Sequence, residues 1–133
     1  MGWLQLPQHK DLPASNHRLK GVELLPGVDV LIEVTVSSVP WLSLSIIFVR
    51  EDEHMDGINF INGEFSQFSA EFPELENCET SEAGSVILGI MDECTLEMAL
   101  EGETLTTELV TIDGRKITTT DPVERLSEVL RVG

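Results

Sequence analysis

The sequence predicts a mainly β fold, an antiparallel sandwich or a partly open barrel of about eight strands with a C-terminal α-helix. Three observations predict it. Apolar and polar residues alternate over residues 28–49, turn dipeptides separate further apolar runs, and a capped helical pattern occurs only at residues 122–131. An α+β fold with two layers, one sheet and the helix, is the alternative.

The chain has 133 residues, of which 41% are apolar, so it is long enough and apolar enough to form one domain with its own core. Residues 1–20 differ from the rest because they are mildly basic and contain Pro7 and Pro13. We expect 1–20 to form an extended N-terminal arm and 21–133 a single β-rich domain. The arm either lies over the acidic body or docks on a neighbouring subunit.

The first strands are predicted on both sides of the turn dipeptide Pro26-Gly27, which fits a type II turn. Residues 21–25 form a short edge strand. Residues 28–49 form the main hairpin, interrupted at 38–41, with one buried face made of Val28, Val30, Ile32, Val34, Val36, Leu42, Leu44, Ile46 and Phe48.

A second hairpin is predicted around Asn62-Gly63, because this dipeptide favours the positive φ values of a type I′ turn. Its strands are residues 58–61 and 64–68. Residues 71–82 follow as a long loop, with at most one helical turn, because they are rich in Glu and have no clear period.

Four further strands are predicted at residues 85–91, 95–100, 105–112 and 115–119. The last two are joined by Asp113-Gly114, a second dipeptide that favours a type I′ hairpin. Because consecutive antiparallel strands usually pair, we expect these four to form a meander.

The predicted helix at 122–131 has Asp121 as its N-cap, Pro122 at the first position and Glu124 at the third. An apolar stripe would face the sheet, or a second copy of the helix in a dimer. Its members are Val123, Leu126, Val129 and Leu130.

The formal charge is −16, from 24 acidic against 8 basic residues. This excess disfavours nucleic acid and anionic membranes as partners, and it attracts a basic protein or a cation. Residues 51–114 contain no Lys or Arg. The candidate partner-binding residues lie in this region: Glu51, Asp52, Glu53, Asp56, Glu71, Glu74, Glu76, Glu79 and Glu82. Glu97, Glu101 and Glu103 extend the acidic face.

Residues 51–57 invite comparison with a calcium-binding loop, but the spacing fails. Counted from Asp52, the third position is His54 and the twelfth, where a bidentate Glu is needed, is Gly63. No Cys-x-x-Cys pair and no glycine-rich phosphate loop occurs, and the three His are scattered. We therefore expect no metal, no cofactor and no enzymatic activity.

The two cysteines are too few for a disulfide scaffold, and the sequence begins without a secretory signal pattern, so a cytoplasmic protein is expected. The first functional hypothesis is a protein-binding module of the inhibitor, immunity or chaperone type that engages a basic protein surface. The second is a structural, oligomer-forming component of a shell or virion, whose partner is a second copy of the chain. The third is a β-domain that binds a small ligand.

Overall fold

The fold was obtained as a computed structural model, which describes residues 8–38, 41–51 and 53–132. It is mainly β and its strands are mostly antiparallel, as predicted. The described strands are β1 Gln8–Asp11, β2 His17–Lys20, β3 Val22–Leu24, β4 Val28–Ser38, β5 Trp41–Arg50, β6 Glu53–Glu64, β7 Thr95–Glu101, β8 Thr104–Val110, β9 Lys116–Pro122 and β10 Leu130–Val132. They form three sheets and no closed barrel.

The first four-stranded sheet has the order β1-β4-β5-β6, and all its pairs are antiparallel. The predicted hairpin is confirmed, since β4 pairs with β5 from Val28 opposite Arg50 onward. The alternation arises because successive side chains of a strand point to opposite faces. The buried face contains Val30, Ile32, Val34, Val36, Leu42, Leu44, Ile46, Phe48 and Ile58. Residues 39–40 of the predicted interruption lie outside the described part of the chain.

The predicted hairpin at Asn62-Gly63 is wrong. Strand β6 continues through both residues, and Gly63 lies opposite Leu42 of β5. Pairing along most of β5 therefore prevails over the local turn preference of the dipeptide. The chain leaves the sheet at Glu64 and enters helix α1, Phe65–Glu71, instead of the predicted return strand.

Both α-helices are internal in the chain. Residues 73–77 form a 3₁₀ helix, and helix α2 spans Thr80–Ile90 where a loop and then the strand 85–91 were predicted. The apolar run of this segment does not distinguish a strand from a helix by period alone. Ala83, Ile87 and Met91 are fully buried at a spacing of four residues, which is helical.

The second four-stranded sheet has the order β2-β7-β8-β9. Its last three strands confirm three members of the predicted meander, in an antiparallel register that places Glu97 opposite Glu108. The turn at Asp113-Gly114 differs from a type I′ turn, because Gly114 has a positive φ of 94° while Asp113 does not. It closes instead through the backbone hydrogen bond from Gly114 N to Thr111 O at 3.0 Å.

Residues 8–20 of the predicted arm contribute one strand to each four-stranded sheet. Strand β1 pairs antiparallel with β4, and β2 pairs parallel with β7. A 3₁₀ helix at Ala14–Asn16 joins them. Residues 1–7 lie outside the described part of the chain.

The predicted C-terminal helix is wrong. Residues through Pro122 belong to β9, a 3₁₀ helix covers Val123–Leu126, and β10 follows and pairs antiparallel with β3. A helix of about ten residues is marginal alone, and the pairing with β3 satisfies backbone groups that such a helix would have used. The predicted apolar stripe still reaches the interior, since Leu126, Val129 and Leu130 are buried. The predicted strand at residues 21–25 is confirmed as β3, and Gly27 has the positive φ expected of its turn.

Candidate functional site

The predicted partner-binding residues fall into two groups at opposite ends of β6. Glu51, Glu53 and Asp56 lie at or near the turn from β5 into β6, and Asp52 lies outside the described residues. The remaining candidates begin with Glu71, the last residue of α1, which starts where β6 ends, and continue to Glu82 in α2. At about 3.3 Å per residue, the two ends of this twelve-residue strand lie roughly 36 Å apart. The structure therefore does not bring the eight described candidates into one site.

The described acidic residues at the turn from β5 into β6 are not arranged around a common ligand position. Glu51 is exposed and adopts a left-handed backbone with φ of 52°. Asp56 is half-buried, and its Oδ1 accepts a hydrogen bond from the backbone N–H of Gly57 at 3.0 Å. Among the residues that the structure describes, no group of three or more His, Cys, Asp or Glu is arranged to hold a metal ion.

The helical group is more ordered. All five of its acidic residues are exposed, and four of them form no ion pair with another described residue. They lie along α1, the 3₁₀ helix and the start of α2. We call this set the helical acidic surface; its members are Glu71, Glu76, Glu79 and Glu82.

Apolar side chains hold the helical acidic surface on the body of the protein. Phe68, Phe72, Leu75 and Ala83 are fully buried between or beside the exposed acids. The rings of Phe68 and Phe72 are stacked with their centroids 6.4 Å apart. Because protein interiors are close-packed, these buried side chains hold the backbone of the segment in one conformation. The acidic residues on that backbone are therefore held in fixed relative positions.

Glu74 is the exception within the helical group, because it is bound by Arg115. The guanidinium donates two hydrogen bonds to the Glu74 carboxylate, one of them from Nη1 to Oε1 at 3.1 Å. The Arg115 Nε also lies 3.0 Å from Asp113 Oδ2, and its guanidinium lies over the Phe72 ring at 5.7 Å from the centroid. The hydrogen bond from Arg115 holds the pKa of Glu74 below its usual value and raises the pKa of Arg115.

The far end of the helical segment is attached to β1. Lys10 forms an ion pair with Asp92, just after α2. Ser85 of α2 donates a hydrogen bond from Oγ to Gln8 Oε1 at 3.2 Å. The segment is therefore held at both ends, by β1 and by the turn between β8 and β9.

An open groove of about 340 Å³ crosses the outer face of the second four-stranded sheet. We call it the cross-strand groove. Two rows of register partners line it, with Arg18, Glu97 and Glu108 in one and Lys20, Ala99 and Thr106 in the next. The rows continue on β9 with Thr118 and Thr120. Because Ala99 and Thr106 are small, the second row is a depression beside the longer side chains of the first.

The charges of the cross-strand groove are partly satisfied within it. Arg18 Nη1 lies 3.5 Å from Glu97 Oε1, and Thr118 donates a hydrogen bond from Oγ1 to Glu108 Oε2 at 2.9 Å. Like charges directly opposite each other in a sheet repel, so Glu97 and Glu108 are more stable with these partners. Lys20 forms no ion pair with any other described residue.

The cysteines are suited to packing rather than to nucleophilic chemistry. Cys94 is fully buried, and burial raises the pKa of its thiol to about 11. Burial also raises the pKa of Cys78. Neither thiol supplies much thiolate at neutral pH. Within the described ranges, no helix is both long enough and apolar enough to cross a membrane.

Sequence reasoning missed the cross-strand groove completely. Its lining residues come from three strands, and β2 joins the sheet by parallel pairing with a strand that follows it by more than 70 residues. The sequence shows that Thr95, Glu97 and Glu101 alternate with apolar residues and so form a polar face of β7. Which strands lie beside that face depends on the topology.

Comparison of the chain with models of known protein families, with curated proteins and with solved structures gives no match.

Proposed function

We propose that this protein is a non-enzymatic binding module that engages a basic protein surface through the helical acidic surface. The observation that supports the proposal is the set of four exposed carboxylates without ion-pair partners among the described residues, carried on one anchored segment. Residues 51–114 contain no Lys or Arg that would neutralise them.

The charge of the whole chain supports the same proposal. A formal charge of −16 creates a negative field that accelerates the approach of a basic partner and disfavours acidic ones. The field is screened over about 8 Å at physiological ionic strength, so contacts between exposed charges weaken as salt rises. A complex formed in this way should assemble rapidly and dissociate at high salt.

The rigid attachment of the acidic segment also supports the proposal. A carboxylate that is already positioned loses less conformational entropy on binding than one on a mobile loop. The buried anchors, the Arg115 contact with Glu74 and the Lys10 contact with Asp92 hold the segment in place. We also infer that the two four-stranded sheets stack as a sandwich beneath it, since their buried side chains belong to one core cluster.

The experiment uses two variants of equal charge. The first combines Glu71→Gln, Glu76→Gln, Glu79→Gln and Glu82→Gln. The control combines Asp11→Asn, Asp29→Asn, Glu124→Gln and Glu128→Gln, which are also exposed and lie outside the acidic face. Binding of a fluorescent Lys- and Arg-rich peptide is measured by anisotropy at several salt concentrations. We expect about a tenfold loss or more for the first variant and a smaller loss for the control.

Equal losses for the two variants would mean that only net charge matters, and the proposal of a specific surface would fail. Affinity capture from a cell extract at low salt, with the wild type and both variants as baits, then identifies the natural partner. A genuine partner is retained by the wild type and the control, is released by salt, and is lost with the first variant.

A further inference from the structure

We propose that the cross-strand groove binds a small zwitterion, with the ligand's ammonium group against Glu108 and its carboxylate against Lys20. This site is separate from the helical acidic surface and does not depend on the proposed partner. It rests on the residual charges of the groove and on their spacing.

The four charged side chains of the groove are Arg18, Lys20, Glu97 and Glu108, and their formal charges cancel. Arg18 and Glu97 already lie 3.5 Å apart. Glu108 accepts a hydrogen bond only from the neutral hydroxyl of Thr118 among the described residues, and Lys20 has no ion-pair partner among them. One positive and one negative group are therefore left for a ligand.

The register determines how far apart these two groups are. Lys20 lies opposite Ala99, Ala99 lies opposite Thr106, and Glu108 is two residues beyond Thr106. With strands about 4.8 Å apart and about 3.3 Å per residue, their Cα atoms are roughly 12 Å apart. In the register, the small residues Ala99 and Thr106 lie between them, so this part of the groove has room for a short chain with a charge at each end.

A singly charged ligand fits the groove less well. A cation would neutralise Glu108 but would leave Lys20 unpaired and repelled, and an anion would also meet the negative field of the whole chain. A zwitterion satisfies both residual charges with charge-assisted hydrogen bonds and places its methylene groups over Ala99. The chemical class is therefore an amino acid or an ω-amino carboxylate.

The experiment is a titration followed by NMR of the isotopically labelled full chain. The probes are glycine, 4-aminobutanoate and 6-aminohexanoate; butylamine and butanoate are the singly charged controls. We expect saturable shifts of the Ala99 and Thr106 amide signals with at least one zwitterion, and about tenfold weaker binding of both controls. The absence of saturation with every zwitterion at millimolar concentration, or equal binding of butylamine, would overturn the proposal.

Variants test the assignment of the two groups. Lys20→Gln and Glu108→Gln should each weaken binding by about tenfold, while Lys116→Gln on the neighbouring strand should leave it unchanged. The exchange Lys20→Glu with Glu108→Lys should restore most of the affinity, because a zwitterion can bind in the reverse direction. If the exchange variant keeps a dispersed native spectrum but does not bind, the groove does not recognise its ligand by these charges, and the proposal is wrong.

Discussion

The guanidinium group of Arg115 forms two hydrogen bonds with the carboxylate of Glu74, which joins the turn between β8 and β9 to the 3₁₀ helix at Pro73–Asn77. The two residues are 41 positions apart in the chain. The same guanidinium lies over Phe72, so the contact combines a planar ion pair with an aromatic face.

Replacement of Arg115 by Met should lower the free energy of unfolding by about 1–2 kcal/mol, because it removes the cation–π contact and the hydrogen bonds to two carboxylates. Urea denaturation measures the change. In the double variant with Glu74→Gln, the loss should be little larger than with Arg115→Met alone, since both changes break one interaction. Fully additive losses would show that the two side chains do not cooperate.

The contribution of this ion pair should depend on pH. Hydrogen bonds from Arg115 to Glu74 and from Thr111 to Asp113 hold both carboxyl pKa values below their usual values of 4.5 and 3.8. A lowered native pKa stabilises the fold above the usual pKa, and that stabilisation is lost as pH falls through the native pKa. The stability difference between the wild type and Arg115→Met should therefore be constant from pH 7 to about 5 and should shrink below about pH 4. The part of the difference that comes from the cation–π contact with Phe72 does not depend on pH, so the assignment is contradicted if the difference does not shrink at all as pH falls.

Replacement by alanine should change the free energy of unfolding in opposite directions at Gly63 and Gly89. A Cβ at Gly63 would lie 1.8 Å from Gln67 Oε1, which accepts the hydrogen bond from Glu64 N–H at the start of α1. Gly63→Ala should displace this cap and cost about 0.5–2 kcal/mol. Gly89 lies in α2 with open space around its Cβ position, so Gly89→Ala should stabilise by about 0.5–1 kcal/mol.

Thermal unfolding of both glycine variants gives the comparison directly. Stabilisation by Gly63→Ala would mean that Gln67 has another rotamer of equal quality, and the cap at Glu64 would then be unimportant.

Thr107 is fully buried on β8, and its hydroxyl Oγ1 has no hydrogen-bond partner among the residues that the structure describes. Valine has nearly the same shape without the polar atom. Thr107→Val should therefore raise the free energy of unfolding by about 1 kcal/mol, because an unsatisfied buried hydroxyl is removed. Denaturant unfolding tests this, and a destabilised variant would indicate that the hydroxyl is bonded in solution, for example by a water molecule.

Leu126 and Val132 test the revised course of the last described segment. Leu126 is fully buried in the 3₁₀ helix, whereas Val132 of β10 is 54% exposed. Leu126→Ala should cost about 2–5 kcal/mol, and Val132→Ala should change stability by less than about 0.5 kcal/mol. Losses of similar size in denaturant unfolding would mean that the segment packs differently from the structure described above.

Much of the β architecture was predictable because it depends on local alternation. The period-two pattern at Val30, Ile32 and Val34 places one face in the core whatever the neighbours are, and the run at 105–110 behaves in the same way. Core membership was also predictable where the conformation was not: Leu126 and Leu130 were expected to be buried, and they are, although the helix that was to carry them does not form.

The errors occur where tertiary pairing competes with a local preference. Asn62-Gly63 favours a turn but is held straight by β5, and the cap signal at Asp121 is present in a segment that instead ends β9. The apolar residues of α2 fit either type of element until their neighbours are known. The acidic candidates were found from composition, but their division into two groups depends on the length of β6.

The pairing of β3 with β10 affects the order in which the molecule can form during translation. Val22 and Val132 are register partners, so more than 100 residues must be synthesised before β3 meets its partner. At about 5–20 residues per second this delay lasts several seconds, far longer than a hairpin such as β4–β5 needs to close. During this time the backbone groups of β3 lack their partners on β10 while the middle of the protein folds. We therefore expect the chain to depend on chaperones most at this stage of synthesis.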